Sequence, residues 1–259
     1  MRAWGAARSV LACLAVAALS GASRAADPGP SGSQSVALEH NAPCPEEMVL
    51  VGSATCVDRF EASLVRVEAD GRDGEPFPPN KPVYPNTKVR AVSLRGALPQ
   101  AYISQLEAAR ACAASNKRLC TDTEWVAACE GIVRAKYPYG ERRRAGACND
   151  RGVEPMAAVF GKPESALVWG FEEMNDPRLY LVTGAVARTG QFTRCLNDYG
   201  LADMVGNLHE WTSDPEGTMR GGYYLDTQEL GEGCRYAAVG HDVRYHDYST
   251  GFRCCKDSS

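Results

Sequence analysis

The sequence predicts a loop-rich α+β domain stapled by disulfides, and three observations predict it. Two segments carry helix start signals, Ser104-x-x-Glu107 and Thr121-x-x-Glu124. Strand-like runs such as Met48 to Val51 are short and bounded by Gly, Ser and Pro. Of the 11 cysteines, all but Cys13 fall after an export-like N-terminus, which leaves an even number for pairing.

The elements can be justified in chain order. Arg2 and Arg8 flank an apolar run from Val10 to Leu19, followed by Ser23-Arg-Ala-Ala-Asp27. This reads as a signal peptide over residues 1–25, with cleavage near Ala25 or Ala26. The apolar run is about half the roughly 20 residues that span a bilayer, so no transmembrane segment is expected. Lipidation at Cys13 is disfavoured because Arg8 leaves too little apolar sequence before it. Residues 26–43 are rich in Pro, Gly and Ser and read as a flexible linker. The ordered domain is expected over 44–259.

Met48 to Val51 and the run around Cys56 to Phe60 look like paired strands joined at Gly52-Ser53, a hairpin that a Cys44–Cys56 bridge would staple. Residues 70–90, dense in Pro and Gly, are expected to form a surface loop. The two capping boxes then open helices, because the hydroxyl and the carboxylate satisfy amides that have no partner in the first turn. The first helix should run to about Asn116 with Leu106, Ala109 and Ala113 on one face. The second should carry Trp125, Ala128 and Cys129 and stop at Gly131. Loops and short strands follow to the C-terminus.

The chain has 28 basic and 32 acidic residues, and the expected cleavage removes Arg2, Arg8 and Arg24. An acidic mature chain argues against nucleic acid or an anionic membrane surface as partner. Disulfides place the protein in an exported compartment, periplasmic or extracellular.

Four segments carry a family resemblance: Asn116-Lys-Arg-Leu-Cys-Thr-Asp-Thr-Glu-Trp125, Asp203-Met-Val-Gly-Asn-Leu-His-Glu-Trp211, Arg220-Gly-Gly-Tyr-Tyr224 and Gly251-Phe-Arg-Cys-Cys255. In this order they resemble the formylglycine-generating enzyme (sulfatase-modifying factor) family over roughly residues 44–256. The resemblance implies a single loop-rich domain distantly related to C-type lectins. It further implies bridges Cys112–Cys254 and Cys129–Cys234. Cys120 and Cys255 stand next to these partners and suggest a second, parallel bridge, which leaves Cys148 with Cys195. Exchange of partners between Cys254 and Cys255 stays open at the level of sequence.

The same resemblance locates a catalytic absence. The family's oxidases hold copper(I) through two cysteines spaced C-x4-C after the R-G-G-S-W segment, since soft thiolates suit that ion. Here Asp226 and Gly231 stand at those positions, and Tyr223 replaces the serine. An alternative is a metal-dependent (non-haem iron or copper) oxidoreductase of the superfamily, with a two-histidine, one-carboxylate site from His241, His246 and Asp247. Histidines five apart share no helical face, so hydrogen-bonded loop residues are the plainer reading. His209 reads as a packed, hydrogen-bonded side chain and not as a ligand. The resemblance also implies a calcium loop with Asp203, Gly206, Leu208 and Glu210 as ligands, consistent with the hard oxygens that calcium prefers. A second calcium site would involve Asn149 and Asp150.

A binding groove is expected between Tyr223–Asp226 and the loops around Trp169 and Tyr245, with Tyr223, Tyr224, Asp226 and Arg220 as its polar and aromatic groups. The resulting expectation is an exported, calcium-stabilised binding or accessory module whose ligand is a protein, peptide or glycan. A purely structural envelope component is the third class.

Overall fold

Residues 43–161 and 169–259 are described by the computed structural model of the protein. The expected signal peptide and nearly all of the linker lie outside these residues. The hairpin forms as β1 (Met48–Val51) and β2 (Thr55–Asp58), antiparallel, with Val51 opposite Thr55. The Cys44–Cys56 bridge closes it, with Cα atoms 5.5 Å apart.

The next three strands are β3 (Ala62–Val67), β4 (Asp73–Pro76) and β5 (Val89–Ser93), paired in the order β4-β3-β5. Residues 70–90 are therefore not a simple surface loop. They contain β4 and bury Phe77, Val83 and Val89 in a core shared with Leu64, Ile103 and Trp211. Isolated apolar residues among prolines show no period, so the sequence pattern hides them.

α1 (Gln105–Ala113) starts at Ser104, whose hydroxyl accepts from the Glu107 amide at 3.3 Å. The Glu107 carboxylate turns to Arg110 at 3.0 Å instead of returning to the cap, so only half of the expected box forms. The buried stripe is Ala108, Ala111 and Cys112, not Leu106, Ala109 and Ala113. The bridge from Cys112 turns that face inward. β6 (Arg118–Leu119) leads into α2 (Asp122–Glu130), where the Thr121–Glu124 box is complete. Trp125, Ala128 and Cys129 are buried, and the helix ends at Gly131 with φ 72°.

The remainder is mostly loop. It holds α3 (Pro155–Phe160), α4 (Phe171–Met174), β7 (His209–Trp211), β8 (Met219–Arg220), β9 (Ala237–Ala238), β10 (Thr250–Phe252) and β11 (Cys254–Asp257). β10 runs parallel to β7 in a sheet ordered β10-β7-β8-β9. β11 lies between β2 and β6 in a sheet ordered β1-β2-β11-β6. The chain thus passes from one sheet to another at a single residue, Arg253.

The structure holds five bridges. Cys112–Cys254 and Cys129–Cys234 are the two the resemblance implies, Cys44–Cys56 is the hairpin staple, and Cys120–Cys255 and Cys148–Cys195 are the pairs that adjacency and the remaining cysteines suggested. The exchange left open by the sequence is decided by strand geometry, because adjacent residues on β11 point to opposite faces of the sheet. Cys254 enters the core around Ile103 and Trp211 with Cys112, whereas Cys255 enters the core around Trp125 with Cys120. One strand therefore fastens two cores. Among the described residues no helix is long and apolar enough to cross a membrane.

Candidate functional site

Three of the four sequence motifs meet at one carboxylate. Glu210 on β7 is 1 % exposed and receives the Arg253 guanidinium through Nε and Nη2, both at 2.6 Å. Its Oε2 also accepts from the Trp125 indole at 2.6 Å. Arg253 is itself fully buried and donates further to the Asp58 and Ala202 carbonyls at 3.1 and 3.0 Å. The fourth motif joins α2 nearby, where Arg220 grips Asp122 at 2.7 and 2.6 Å. The two glycines that follow have no room for side chains. A Cβ on Gly221 (φ 83°) would lie 2.9 Å from the Met204 carbonyl oxygen, and one on Gly222 (φ 69°) would lie 2.4 Å from that of Asp226.

More buried charge surrounds this pair. Glu61 accepts from the Asn207 side chain at 2.5 Å and from the Leu208 amide at 3.2 Å. Asp203 accepts from the Gly190 amide at 2.6 Å. Burial raises the carboxyl of Glu61 well above its usual range, helped by the neighbouring Asp203 and Glu210 charges. Burial likewise raises Asp203 to about 6. Three carboxyl groups thus face one guanidinium. Asn207, at φ 61°, is the hub that sequence reading missed: its side-chain oxygen accepts from the Ala187 amide and from Asn149 at 2.8 and 2.9 Å. An Asn after Gly, in the left-handed region that Asn tolerates, was the available signal.

The proposed calcium donors lie around this cluster, and their fit is mixed. The Gly206 and Leu208 carbonyls accept no hydrogen bond from the described residues and are free to turn to a cation. Glu210 already holds Arg253 and Trp125, so its carboxylate has one free acceptor position, on Oε1. Among the described residues no group of three or more His, Cys, Asp and Glu side chains is placed to hold a metal ion. At the second expected site, Asn149 donates through Nδ2 to the Ala185 carbonyl and to Asn207, bonds that do not use its side-chain oxygen. Asp150 accepts from Arg143 on Oδ2 at 2.6 Å, while its buried Oδ1 has no partner among the described residues.

The structure does not assemble the alternative iron triad. His246 bonds Asn175 at 2.7 Å and meets Phe171 edge-on. Asp247 accepts from Tyr245 and Ser249 at 2.6 and 2.7 Å. His241 packs instead beside Trp211 and Tyr245, with ring centroids 6.4 and 5.4 Å away. The plainer reading, loop histidines held by local contacts, describes His246. His209 is packed as expected, between Tyr223 and Tyr236 at 4.7 and 5.5 Å, but it is not hydrogen-bonded as expected: its buried Nδ1 has no partner among the described residues, because aromatic rings surround it. Burial lowers it to about 3, so it stays neutral.

The expected binding set is likewise divided. Tyr224 is wholly buried in a core with Leu208 and Tyr248, while Tyr223 is half-buried beside it. Asp226 accepts the Gln228 and Glu229 amides at 2.8 and 3.2 Å, a local turn cap. Trp169 packs on Phe160. Arg220 lines a different feature, a cavity of about 570 Å³ between α2, the β1–β2 turn and Tyr199. Tyrosine density near arginines in sequence marked a core and an ion-pair network here, because loop-rich cores use Tyr as apolar filling with a polar tip.

These features define a disulfide-stapled α+β domain whose signature residues hold one another in place. The chain belongs to the Sulfatase-modifying factor enzyme 1-like domain family, which matches residues 68–258. It is 26 % identical over 172 residues to the mouse (Mus musculus) protein named "Inactive C-alpha-formylglycine-generating enzyme 2", covering 62 % of this chain and 50 % of the relative. The chain thus spans half the length of that curated relative. Among solved structures, the Major Tropism Determinant I1 variant aligns with a TM-score of 0.46 at 15 % identity, covering 83 % of this chain and 53 % of that one. CarF aligns with a TM-score of 0.34 at 17 % identity, covering 76 % and 59 %.

Proposed function

We propose that the domain is a non-catalytic binding or accessory module of an exported protein, with the buried carboxylate cluster stabilised by calcium. The observation that carries this reading is the fate of sulfur. Every cysteine between residues 43 and 259 is in a disulfide, so no thiolate among them can bind copper(I) or engage a substrate thiol. Asp226, at the first thiolate position, is committed to capping its own turn. Gly231, at the second, has no side chain and adopts φ 115°. The word "inactive" in the name of the mouse relative supports the same reading. So does the arrangement of the signature motifs, which bind one another and leave their polar groups little capacity for a substrate.

Calcium would be held by Asp203, Glu210 and the Gly206 and Leu208 carbonyls, with Arg253 kept as the permanent internal cation. Export by the N-terminal signal segment accounts for the five bridges. The test is an oxidation assay of the purified exported protein, loaded with copper(I), on a cysteine peptide from a sulfatase in air. Unchanged peptide mass supports the reading. Loss of mass consistent with thiol-to-aldehyde conversion, at a rate set by protein concentration, overturns it.

A further inference from the structure

One face of this acidic protein is basic. The loops 131–151 and 188–200 carry eight Arg and Lys against three Asp and Glu. Most arginines elsewhere are neutralised: Arg90, Arg110, Arg118, Arg178 and Arg220 each pair with a carboxylate. On this face Arg95, Arg144, Arg151, Arg188 and Arg194 are exposed and have no carboxylate partner among the described residues.

The face is also shaped and held. The Cys148–Cys195 bridge, with Cα atoms 4.7 Å apart, fastens the two loops, and Arg194 donates across them to the Gly146 carbonyl at 3.2 Å. Two depressions lie side by side. One, of about 220 Å³, is lined by Arg151, Arg194, Gln191 and Thr193. The other, of about 320 Å³, is lined by Arg59, Arg95 and Leu196. Phe192 and Thr193 form the wall between them.

We propose that this face binds an anionic polysaccharide, one acidic group in each arginine-lined depression. The inference deepens the binding-module reading and rests on it. A guanidinium fork matches carboxylate and sulfate oxygens, and two such forks set side by side suit charges repeated along a polymer. The local chemistry disfavours the other polyanions. An extended peptide adding a strand would need an open strand edge, and the pairing in these loops consists of two isolated bridges, Tyr137–Gly140 and Leu196–Ala202. Single-stranded nucleic acid would need free aromatic faces. Here Arg151 covers Phe192 at 5.0 Å, and Tyr139 is taken by Arg144 at 5.9 Å and by Tyr137 at 5.5 Å.

The test is binding of the full exported protein to immobilised polyuronate and to dextran sulfate, with neutral dextran and single-stranded oligonucleotide as comparators. The expected result is saturable binding to one or both acidic polysaccharides that weakens with salt. The Arg151→Gln/Arg194→Gln variant should lose roughly tenfold, the effect of losing charge-assisted hydrogen bonds. Arg178→Gln, away from this face, should lose nothing. Polyuronate alone or dextran sulfate alone identifies the acidic group. Equal binding to neutral dextran, equal or tighter binding to oligonucleotide, or indifference to the double variant would overturn the proposal. Because the oxidation assay is separate, an inactive protein that ignores acidic polysaccharides sinks this inference and leaves the non-catalytic reading standing.

Discussion

Arg253 and Glu210 form a doubly hydrogen-bonded ion pair in which the two side chains are 0 % and 1 % exposed. Arg253 is the single residue between β10 and β11, and Glu210 is the centre of β7. The pair therefore fixes the point at which the C-terminal segment changes sheets. A buried pair is not by itself evidence of net stability, but breaking one partner leaves an uncompensated charge.

Glu210→Gln should destabilise the domain by about 3–5 kcal/mol, since the Arg253 charge then faces a neutral amide. Urea unfolding followed by tryptophan fluorescence measures this. Trp125 donates to the same carboxylate, so its emission should also change in the folded state. A loss under about 1 kcal/mol would show that Glu61 and Asp203 carry Arg253 without Glu210.

The two bridges at the end of the chain should act on separate cores. Replacing Cys112 and Cys254 together by Ala, or Cys120 and Cys255 together, should each cost about 2–5 kcal/mol. The loops they close span 142 and 135 residues. Mass spectrometry of unreduced peptides, cut between Cys254 and Cys255, checks the pairing. Cys112 found with Cys255 would contradict the strand geometry.

Asp58 is fully buried, accepts from Lys117 at 2.7 Å, and is raised by burial from 3.8 to about 6. Lys117 and the Cys254 amide oppose this rise without cancelling it. The folded protein thus holds a proton on Asp58 between about pH 4 and 6 that the unfolded chain releases. The sign is that stability from this group is fully present below pH 4 and is lost as pH rises through 6, by about 3 kcal/mol in all. Carboxyl NMR of the folded protein should show Asp58 titrating near 6. A midpoint at or below 3.8 would show that Lys117 outweighs burial.

Calcium should stabilise the fold if it completes the carboxylate cluster. At a hundredfold excess over its dissociation constant it would add about 2.7 kcal/mol. For a domain of this size that is a rise in Tm of roughly 5–10 °C. Chelator should reverse it, and Asp203→Asn should abolish it. An unchanged Tm across chelator and millimolar calcium would show that Arg253 and bound protons suffice.

Much of the fold was legible because its signals are local. Thr121 and Glu124 announce a helix within four residues, and Gly131 ends it. The Gly52 turn announces the hairpin in the same way. The sheet β4-β3-β5 was not legible, since Phe77 and Val83 are single apolar residues in Pro-rich sequence and are buried by partners distant in the chain. The sequence shows by itself that Asp226 and Gly231 stand at the two thiolate positions, but it misleads in its aromatic residues. Tyr224 and Tyr248 look like a recognition surface until their burial is known. The basic face escaped whole-chain charge, because paired arginines and acids elsewhere mask it. It emerges only when the Cys148–Cys195 bridge joins two loops 47 residues apart.

The central claim is that this member of the family has kept the scaffold and lost the thiolate chemistry. Its most direct test is the copper(I)-binding stoichiometry of the unreduced protein with its five bridges intact, read by elemental analysis after exposure to copper(I) and gel filtration. The account predicts no retained copper, in parallel with no free thiol under denaturing conditions. One retained copper(I) per chain, removed by a thiol-blocking reagent, would contradict it.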